Sequence, residues 1–376
     1  MRLAASRPAE ARGLRRDGVR LLVATPDGLA HARFADLPRF LAPGDLLVVN
    51  TSATVAAALP GQRSTGRPVT VHLSSPLEEG TWLVELREPD VGRGRVTDAA
   101  PGQTVTLPGG TALALLRPYP DPAATRMWAA AADGDVLAEA AQHGRPIRYS
   151  YVPEPWPLAA YQSVFARSPG SAEMPSAARP FTPELVTSLV TAGVLIAPVT
   201  LHAGVASLET GEPPLPEWCT VPGPTAQLVN LTLAAGRRVI AVGTTCTRAL
   251  ESAADPAVTG LADPASQRAA AGPAARPGGG PAGAGPVRAF TGRTGLVLGA
   301  GRPARVVSGL ITGWHDPEAS HLALLEAVAG AVLVASAYQA AEQAGYLWHE
   351  FGDSCLLLPP VSAPRSSRSG WPAASA

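Results

Sequence analysis

Polar side chains that could do chemistry collect where apolar runs of the sequence end. The run Val194–Leu201 contains Thr200 near its end and is followed at once by His202 and Gly204. An imidazole suits acid/base catalysis because its ordinary pKa lies near neutrality. We therefore expect His202 to be catalytic, with Thr200 and Gly204 binding a ligand beside it. A buried structural histidine is the alternative interpretation.

A second polar group follows the run Arg238–Val242. Gly243 is succeeded by Thr244 and Thr245, which we expect to contact a ligand, and then by Arg248 and Glu251 one helical turn apart. Side chains with this spacing lie on one face of a helix, so an exposed ion pair is one interpretation. The position just past a strand end supports a second interpretation, in which Arg248 is catalytic and Glu251 binds substrate. Both interpretations stay open.

Further candidates lie outside these two groups. His315 follows another apolar run and suits acid/base chemistry, and Trp314 beside it could stack on a base or lie in the core. The remaining predicted binding residues are Asn50 at the end of the run Leu46–Asn50, the neighbours Glu217 and Trp218, and Asp353, which could equally cap a helix.

Alternating helices and buried strands must position these groups. Thr182 and Pro183 have the residue types that begin a helix, which should run to about Thr191. Val194–Leu201 and Arg238–Val242 are typical of strands buried on both faces of a parallel sheet, and a helix over 225–235 separates them. Ligands bind beyond the carboxyl ends of such strands. The sequence therefore predicts an α/β domain with one crevice at the strand ends.

The region from residue 62 to residue 146 has a different character. Short strand-like runs separated by Gly, Pro and Asp turns predict a small antiparallel β-barrel inserted into the α/β domain. The α/β domain then comprises residues 1–61, 147–254 and 287–360. Residues 255–286 are an Ala/Gly/Pro-rich stretch expected to be a disordered loop, and residues 361–376 a flexible tail. In the last part, Gly295–Leu298 and Ala304–Val307 are expected to pair as strands.

Composition excludes several classes of protein. The chain has 376 residues and a formal charge of zero, which gives no global electrostatic case for a nucleic-acid partner. All its basic residues are arginine, so a Schiff-base lysine and a P-loop lysine are excluded. Three widely spaced cysteines form neither a disulfide framework nor a metal cluster, and no Gly-x-Ser-x-Gly hydrolase motif is present. This use of cysteine fits a reducing cytoplasm, which is the expected location. No apolar stretch is long enough to span a bilayer, so no membrane partner is expected.

Long phrases along the chain carry a resemblance to a known family. They are RLLVATPDGLAHARFADLPRFLAPGDLLVVN (20–50), RPIRYSYVPEP (145–155), YQSVFA (161–166), FTPEL (181–185), VTLHAG (199–204), EW (217–218), RRVIAVGTTCTRALES (237–252), VSGLITGWH (307–315) and GYLWHEFGDSCLL (345–357). In this order they resemble the S-adenosylmethionine:tRNA ribosyltransferase-isomerase family of queuosine biosynthesis.

The resemblance implies a two-domain transferase and isomerase. Its members transfer the ribosyl part of S-adenosylmethionine to 7-aminomethyl-7-deazaguanine in a tRNA anticodon, forming epoxyqueuosine and releasing adenine and methionine. It implies no cofactor and no metal, since S-adenosylmethionine is a substrate. The expected partners are S-adenosylmethionine and the precursor-bearing tRNA, with the enzyme a monomer or small homo-oligomer. Glu217 would then bind a ribose hydroxyl or the methionine amine.

This chain also departs from the family pattern. The family's Asn-Asp-Thr-Arg-Val is replaced by the stretch 50–54, which lacks the acid and the arginine, and Ala58 replaces a second arginine. The stretch 175–181 lacks a histidine, and Glu318 stands where the family has a lysine. Two alternatives therefore stay open: a divergent relative that acts on another acceptor, and a catalytically silent protein that binds an adenosyl ligand or RNA.

Overall fold

The structure, a computed structural model, describes residues 6–77, 80–89, 94–124, 126–148, 152, 154–205, 214–258, 286–315 and 320–360. The predicted tail at 361–376, and nearly all of the predicted disordered loop at 255–286, lie outside these residues.

Within the described residues the strands, in chain order, are β1 (Arg20–Thr25), β2 (Gly28–Arg33), β3 (Leu46–Asn50), β4 (Ser52–Thr54), β5 (Ala58–Arg63), β6 (Pro68–Pro76), β7 (Thr81–Arg87), β8 (Thr104–Thr106), β9 (Ala112–Tyr119), β10 (Met127–Ala132), β11 (Ser168–Ser171), β12 (Leu195–Leu201), β13 (Glu217–Val221), β14 (Val239–Val242), β15 (Phe290–Thr294), β16 (Gly309–Gly313) and β17 (Ser354–Leu357). The α-helices are α1 (Val136–His143), α2 (Pro183–Thr191), α3 (Gly223–Ala234), α4 (Thr244–Ala254), α5 (Ser320–Ala329) and α6 (Ala331–Gln343). Short 3-10 helices cover Glu10–Arg12, Arg16–Gly18, Phe34–Phe40, Leu158–Tyr161 and Ser176–Ala178.

A nine-stranded mixed sheet forms the centre of the α/β domain. Its order is β15-β13-β12-β3-β14-β16-β17-β1-β2. The four neighbours β12, β3, β14 and β16 are parallel, so their carboxyl ends share one edge. Leu47 of β3 lies opposite both Ile196 and Ile240, which fixes the register at the middle of the sheet.

Alternate residues of each strand bury opposite faces of this sheet. Leu46 and Val48 join the apolar cluster formed with α3 to α6, whereas Leu47 and Val49 join the cluster that contains Leu185 of α2. Thr182 accepts a hydrogen bond from the backbone N–H of Leu185, as expected for the residue that begins this helix. The result is a sheet covered by helices on both faces.

The inserted region forms a closed six-stranded barrel in the order β10-β7-β6-β5-β8-β9. Every neighbouring pair for which a register is defined is antiparallel. Its first strand begins at Ala58, a few residues before the predicted domain boundary, and its interior is filled by apolar residues such as Val71, Val84 and Leu113. The predicted fold class, an α/β domain carrying a small antiparallel barrel, is confirmed.

One predicted strand pair is wrong. Residues 295–298 and 304–307 form no strands; instead Phe290–Thr294 pairs antiparallel with β13. The backbone N–H groups of residues 305–307 donate to the carboxylate of Glu251, so they are not available to a sheet ladder.

No single helix among the described residues is long and apolar enough to cross a membrane, and α5 and α6 would reach that length only as a pair bent by 119°.

Candidate active site

A large open cavity lies at the shared carboxyl edge of β12, β14 and β16. Its empty space is about 1250 Å³, including solvent at the mouth. The segment 203–205 after β12, the start of α4 after β14 and His315 after β16 all line it, and Ser74 and Ser75 of the barrel close another side. We call this space the main cavity. It is the crevice that the sequence predicts, built between the two domains.

Six of the predicted site residues line the main cavity: Gly204, Glu217, Thr244, Thr245, Arg248 and His315. The other seven do not. These are Asn50, Thr200, His202, Trp218, Glu251, Trp314 and Asp353.

Arg248 and Glu217 form a buried ion pair in the cavity wall. Arg248 also donates to the backbone carbonyls of Thr294 (3.0 Å) and Leu296 (3.2 Å). The second oxygen of Glu217 accepts the backbone N–H of Gly204 at 2.8 Å. The pair therefore ties α4, β13 and the segment after β12 together, and the charge of Arg248 is compensated.

Thr244 and Thr245 begin α4 at the floor of the cavity. Gly243 precedes them with φ +96°, a left-handed conformation that favours glycine, and no side chain caps the helix. The first N–H groups of an α-helix lack partners within the helix, so this end favours negative or electron-rich atoms. The Thr245 hydroxyl accepts from the Asn50 amide at 3.3 Å.

Three imidazoles form one wall of the cavity, and we call His315, His321 and His349 the histidine wall. The rings of His315 and His321 are parallel within 4°, with centroids 4.5 Å apart. The ring of His349 lies 4.8 Å from that of His315, and its Nδ1 is 3.2 Å from the Ser176 hydroxyl. These residues come from the segment after β16, the first turn of α5 and the loop before β17.

The Thr312 hydroxyl lies between two hydrogen-bond partners, the Gly313 carbonyl and His315 Nε2, each 3.1 Å away. When its proton goes to the carbonyl, which can only accept, the hydroxyl accepts from Nε2. In that tautomer the neutral imidazole keeps a lone pair on Nδ1. The main chain of His315 is held by the Tyr338 hydroxyl through both its N–H and its carbonyl.

Burial keeps the histidine wall neutral. It lowers the pKa of His315 well below the ordinary value, and the neighbouring His321 and His349 lower it further. Burial, assisted by the charge of Arg248, lowers the pKa of His321 to about 4. Burial and the proximity of His321 lower the pKa of His349 to about 4. At neutral pH the wall presents three uncharged imidazoles.

A much smaller cavity adjoins the main one and shares Ser176, Gly313 and His349 with it. Glu350 lines this space, and its buried Oε2 has no hydrogen-bond partner. Burial raises the pKa of Glu350 to about 8, although Arg179 acts in the opposite direction. A carboxyl group that is mostly protonated at neutral pH therefore lies directly behind His349.

His202 lies beside the main cavity, half-buried against Gly170. Its Nδ1 is 2.7 Å from the Ser52 hydroxyl, which is 2.6 Å from the Ser171 hydroxyl. Ser171 in turn accepts the N–H of Ala203 at 3.0 Å. The pKa of His202 is lowered by burial. Through this chain of hydrogen bonds His202 fixes the backbone that enters the cavity wall.

Thr200, Asn50 and Trp218 also form contacts that hold the framework. Thr200 pairs with the Thr51 hydroxyl at 2.8 Å. Asn50 is completely buried, and its amide donates to the carbonyl and accepts from the N–H of Leu201. The Trp218 indole donates to the Pro76 carbonyl at 3.2 Å and so joins the α/β domain to the barrel.

The interpretation of Arg248 and Glu251 as an exposed ion pair is wrong, because both side chains are buried and contact different partners. Glu251 accepts four hydrogen bonds from the N–H groups of residues 305–307.

Trp314 is fully buried in the core between Tyr338 and Tyr346, where no base could stack on it. Asp353 accepts hydrogen bonds from Arg20 and from the N–H of Leu347.

Sequence reasoning missed His321, His349 and Glu350. One signal was available: three of the seven histidines in the chain fall between residues 315 and 349.

Within the described residues no group of His, Cys, Asp or Glu side chains is arranged to hold a metal ion. Burial raises the pKa of the Cys219 and Cys246 thiols to about 12, so neither is a ready nucleophile.

The fold is an α/β domain with an inserted barrel, and its main cavity lies at the strand ends. Residues 1–357 match the model of the family described as queuosine biosynthesis protein, and the chain belongs to that family. Similar relatives named S-adenosylmethionine:tRNA ribosyltransferase-isomerase include those of Acidiphilium cryptum (33% identical, covering 91% of this chain and 93% of the relative) and Synechococcus elongatus (33%, 93% and 92%). The crystal structure of S-adenosylmethionine tRNA ribosyltransferase from Thermotoga maritima is 25% identical, with a TM-score of 0.47 and 95% and 96% of the two chains covered.

Proposed function

We propose that the protein transfers and isomerises the ribosyl moiety of S-adenosylmethionine onto 7-aminomethyl-7-deazaguanine in tRNA, forming epoxyqueuosine and releasing adenine and methionine. Family membership supports the reaction type, since the relatives are named for it. The proposal also includes the partners, S-adenosylmethionine and tRNA, a cytoplasmic location, and chemistry that uses no cofactor.

The charge of the main cavity is the observation that carries the proposal. Among the described residues that line it, the charged ones are Glu173, Glu217 and Arg248, whose formal charges sum to −1. The three histidines add no charge, because burial lowers their pKa values. S-adenosylmethionine carries a positive sulfonium, and a lining without a net positive formal charge suits such a cation.

His315 is the residue best placed for proton transfer. In the tautomer whose Nε2–H is held by Thr312, the Nδ1 lone pair can accept a proton. The reaction needs a base for the proton beside the sulfonium and a donor for the departing adenine. His202 acts as a positioning residue, because its hydrogen bonds through Ser52 and Ser171 fix the backbone at Ala203.

The test is adenine release from S-adenosylmethionine with and without precursor-bearing tRNA, compared between the wild type and His315→Ala. We expect tRNA-dependent release that falls roughly 100-fold or more in the variant, the usual contribution of a general acid or base. His143→Ala, at an exposed position on α1, is the control and should match the wild type. Equal rates for His315→Ala and the wild type would refute the assigned role.

The altered family positions favour one alternative, a different acceptor. Ala53 and Ala58 stand where the family has arginines, so two cations that could contact tRNA phosphates are absent there. Adenine release that proceeds without tRNA and is stimulated by another nucleophile would support this alternative.

A further inference from the structure

The histidine wall is the only source of planar rings among the described residues that line the main cavity. No Phe, Tyr or Trp side chain is among them. Trp314 and Tyr346 are nearby in sequence, but both are buried in the core. Among these described residues, the imidazoles are therefore the aromatic rings on which a flat ligand group could stack.

The geometry of the wall already has the form of a stack. His315 and His321 are parallel within 4° at 4.5 Å, and both line the cavity. Beside them, Leu298 and Leu324 add apolar surface, with Leu324 one helical turn after His321 on α5. Rings this close leave no room for a third between them, so a nucleobase would lie against the outside of the stack and keep one ring face out of water.

The chemistry of the wall also suits a base. A neutral imidazole has one N–H donor and one lone pair, which complement the ring nitrogens and exocyclic amine of a purine. Arg248, whose charge acts on His321, is paired with Glu217, so its positive charge is compensated and does not strongly repel a sulfonium attached to the same ligand.

From this arrangement we propose that the histidine wall is the nucleobase subsite of the main cavity, with the ring of His321 as its stacking platform. The inference deepens the proposed function and rests on it for the identity of the base. Two bases take part in that reaction, the adenine of S-adenosylmethionine and the deazaguanine of the acceptor, and they share the flat bicyclic ring that the wall would recognise.

Calorimetric titration of the full-length protein with two free bases, adenine and 7-aminomethyl-7-deazaguanine, tests the subsite without any turnover. His321→Leu removes the planar ring but keeps an apolar side chain, and His321→Phe keeps a flat ring without nitrogens. His143→Ala on the exposed face of α1 is the matched histidine control. Thermal unfolding of each variant confirms that it is folded.

We expect His321→Leu to weaken binding of a base roughly tenfold, the usual effect of removing one stacking platform, and His321→Phe to stay within about threefold of the wild type. If His321→Leu weakens the binding of adenine, the subsite holds the leaving group. If it weakens the binding of the deazaguanine, the subsite holds the acceptor base. The proposal is overturned if neither base binds the wild type, if His321→Leu binds as tightly as the wild type, or if His321→Phe loses as much affinity as His321→Leu.

These outcomes are distinguishable from failure of the proposed function. Absence of tRNA modification, with the expected order of base affinities among the variants, would leave the subsite standing and remove the reaction. Normal tRNA modification, with base affinities that are the same in all variants, would support the reaction and overturn the subsite.

Discussion

Replacing Glu350 by glutamine is expected to change how the stability of the protein depends on pH. Glu350 lies beside the main cavity with a buried oxygen that has no partner, and burial raises its pKa to about 8 from an ordinary value of 4.5. The folded state therefore binds a proton that the unfolded state releases between these two values. The stability that this adds is fully present below pH 4.5 and is lost as the pH rises through about 8.

The size of the effect follows from the two pKa values. Their difference is about 3.5, and each pKa unit corresponds to about 1.36 kcal/mol, so the full contribution is about 5 kcal/mol. Between pH 5 and pH 8, roughly 3.5 kcal/mol of it disappears. Glutamine mimics the protonated carboxyl at every pH. The free energy of unfolding of the wild type should therefore fall by about that amount relative to Glu350→Gln over this interval.

Urea unfolding followed by tryptophan fluorescence at pH 5, 6.5 and 8 measures this difference. The buried histidines titrate in both proteins, so their contribution cancels when the two are subtracted. Glu184→Gln, which removes an exposed carboxylate at the start of α2, is the control. Parallel pH curves for the wild type and Glu350→Gln would show that the carboxyl is not held protonated by the fold, and the reasoning would be refuted.

Three further predictions concern buried polar groups in the cavity wall or close to it. Arg248→Met should destabilise the protein by about 3–5 kcal/mol in urea unfolding, because it leaves the Glu217 carboxylate buried without its partner; a change below 1 kcal/mol would contradict the buried pair. Glu251→Ala should cost several kcal/mol by the same assay, since three backbone N–H groups lose their acceptor, each at about 1–3 kcal/mol. The acid limb of the rate of adenine release should lie well below pH 6.5, because burial lowers the pKa of His315 and keeps its base form to lower pH; half-maximal activity near pH 6.5 would argue against His315 as the base.

Much of the fold could be predicted because its signals are local. The apolar run Leu46–Asn50 predicts a strand with the bounds that the structure has, and the short runs between Gly and Pro turns predict the barrel. The strand Phe290–Thr294 was missed because its sequence, FTGRT, has no apolar run. Its burial instead alternates through Phe290, Gly292 and Thr294. Ala304–Val307 looked like a strand, and only a glutamate 54 residues away in the chain explains why it is not.

The positions of some candidate site residues could be predicted for the same reason. Gly204, Thr244 and His315 line the cavity because they follow strand ends, and the parallel strands bring those ends to one edge. His321 and His349 reach the cavity from a helix start and a loop, whose positions depend on tertiary packing. Trp314 and Glu251 follow the same local signals, yet packing turns one into the core and the other towards a backbone segment.

The most direct test of the proposed reaction is the mass of the anticodon base after incubation of the protein with S-adenosylmethionine and tRNA bearing 7-aminomethyl-7-deazaguanine. We predict that nucleoside mass spectrometry will show the precursor converted to epoxyqueuosine, together with equal amounts of adenine and methionine. An unchanged precursor after incubation with both substrates would contradict the proposed reaction.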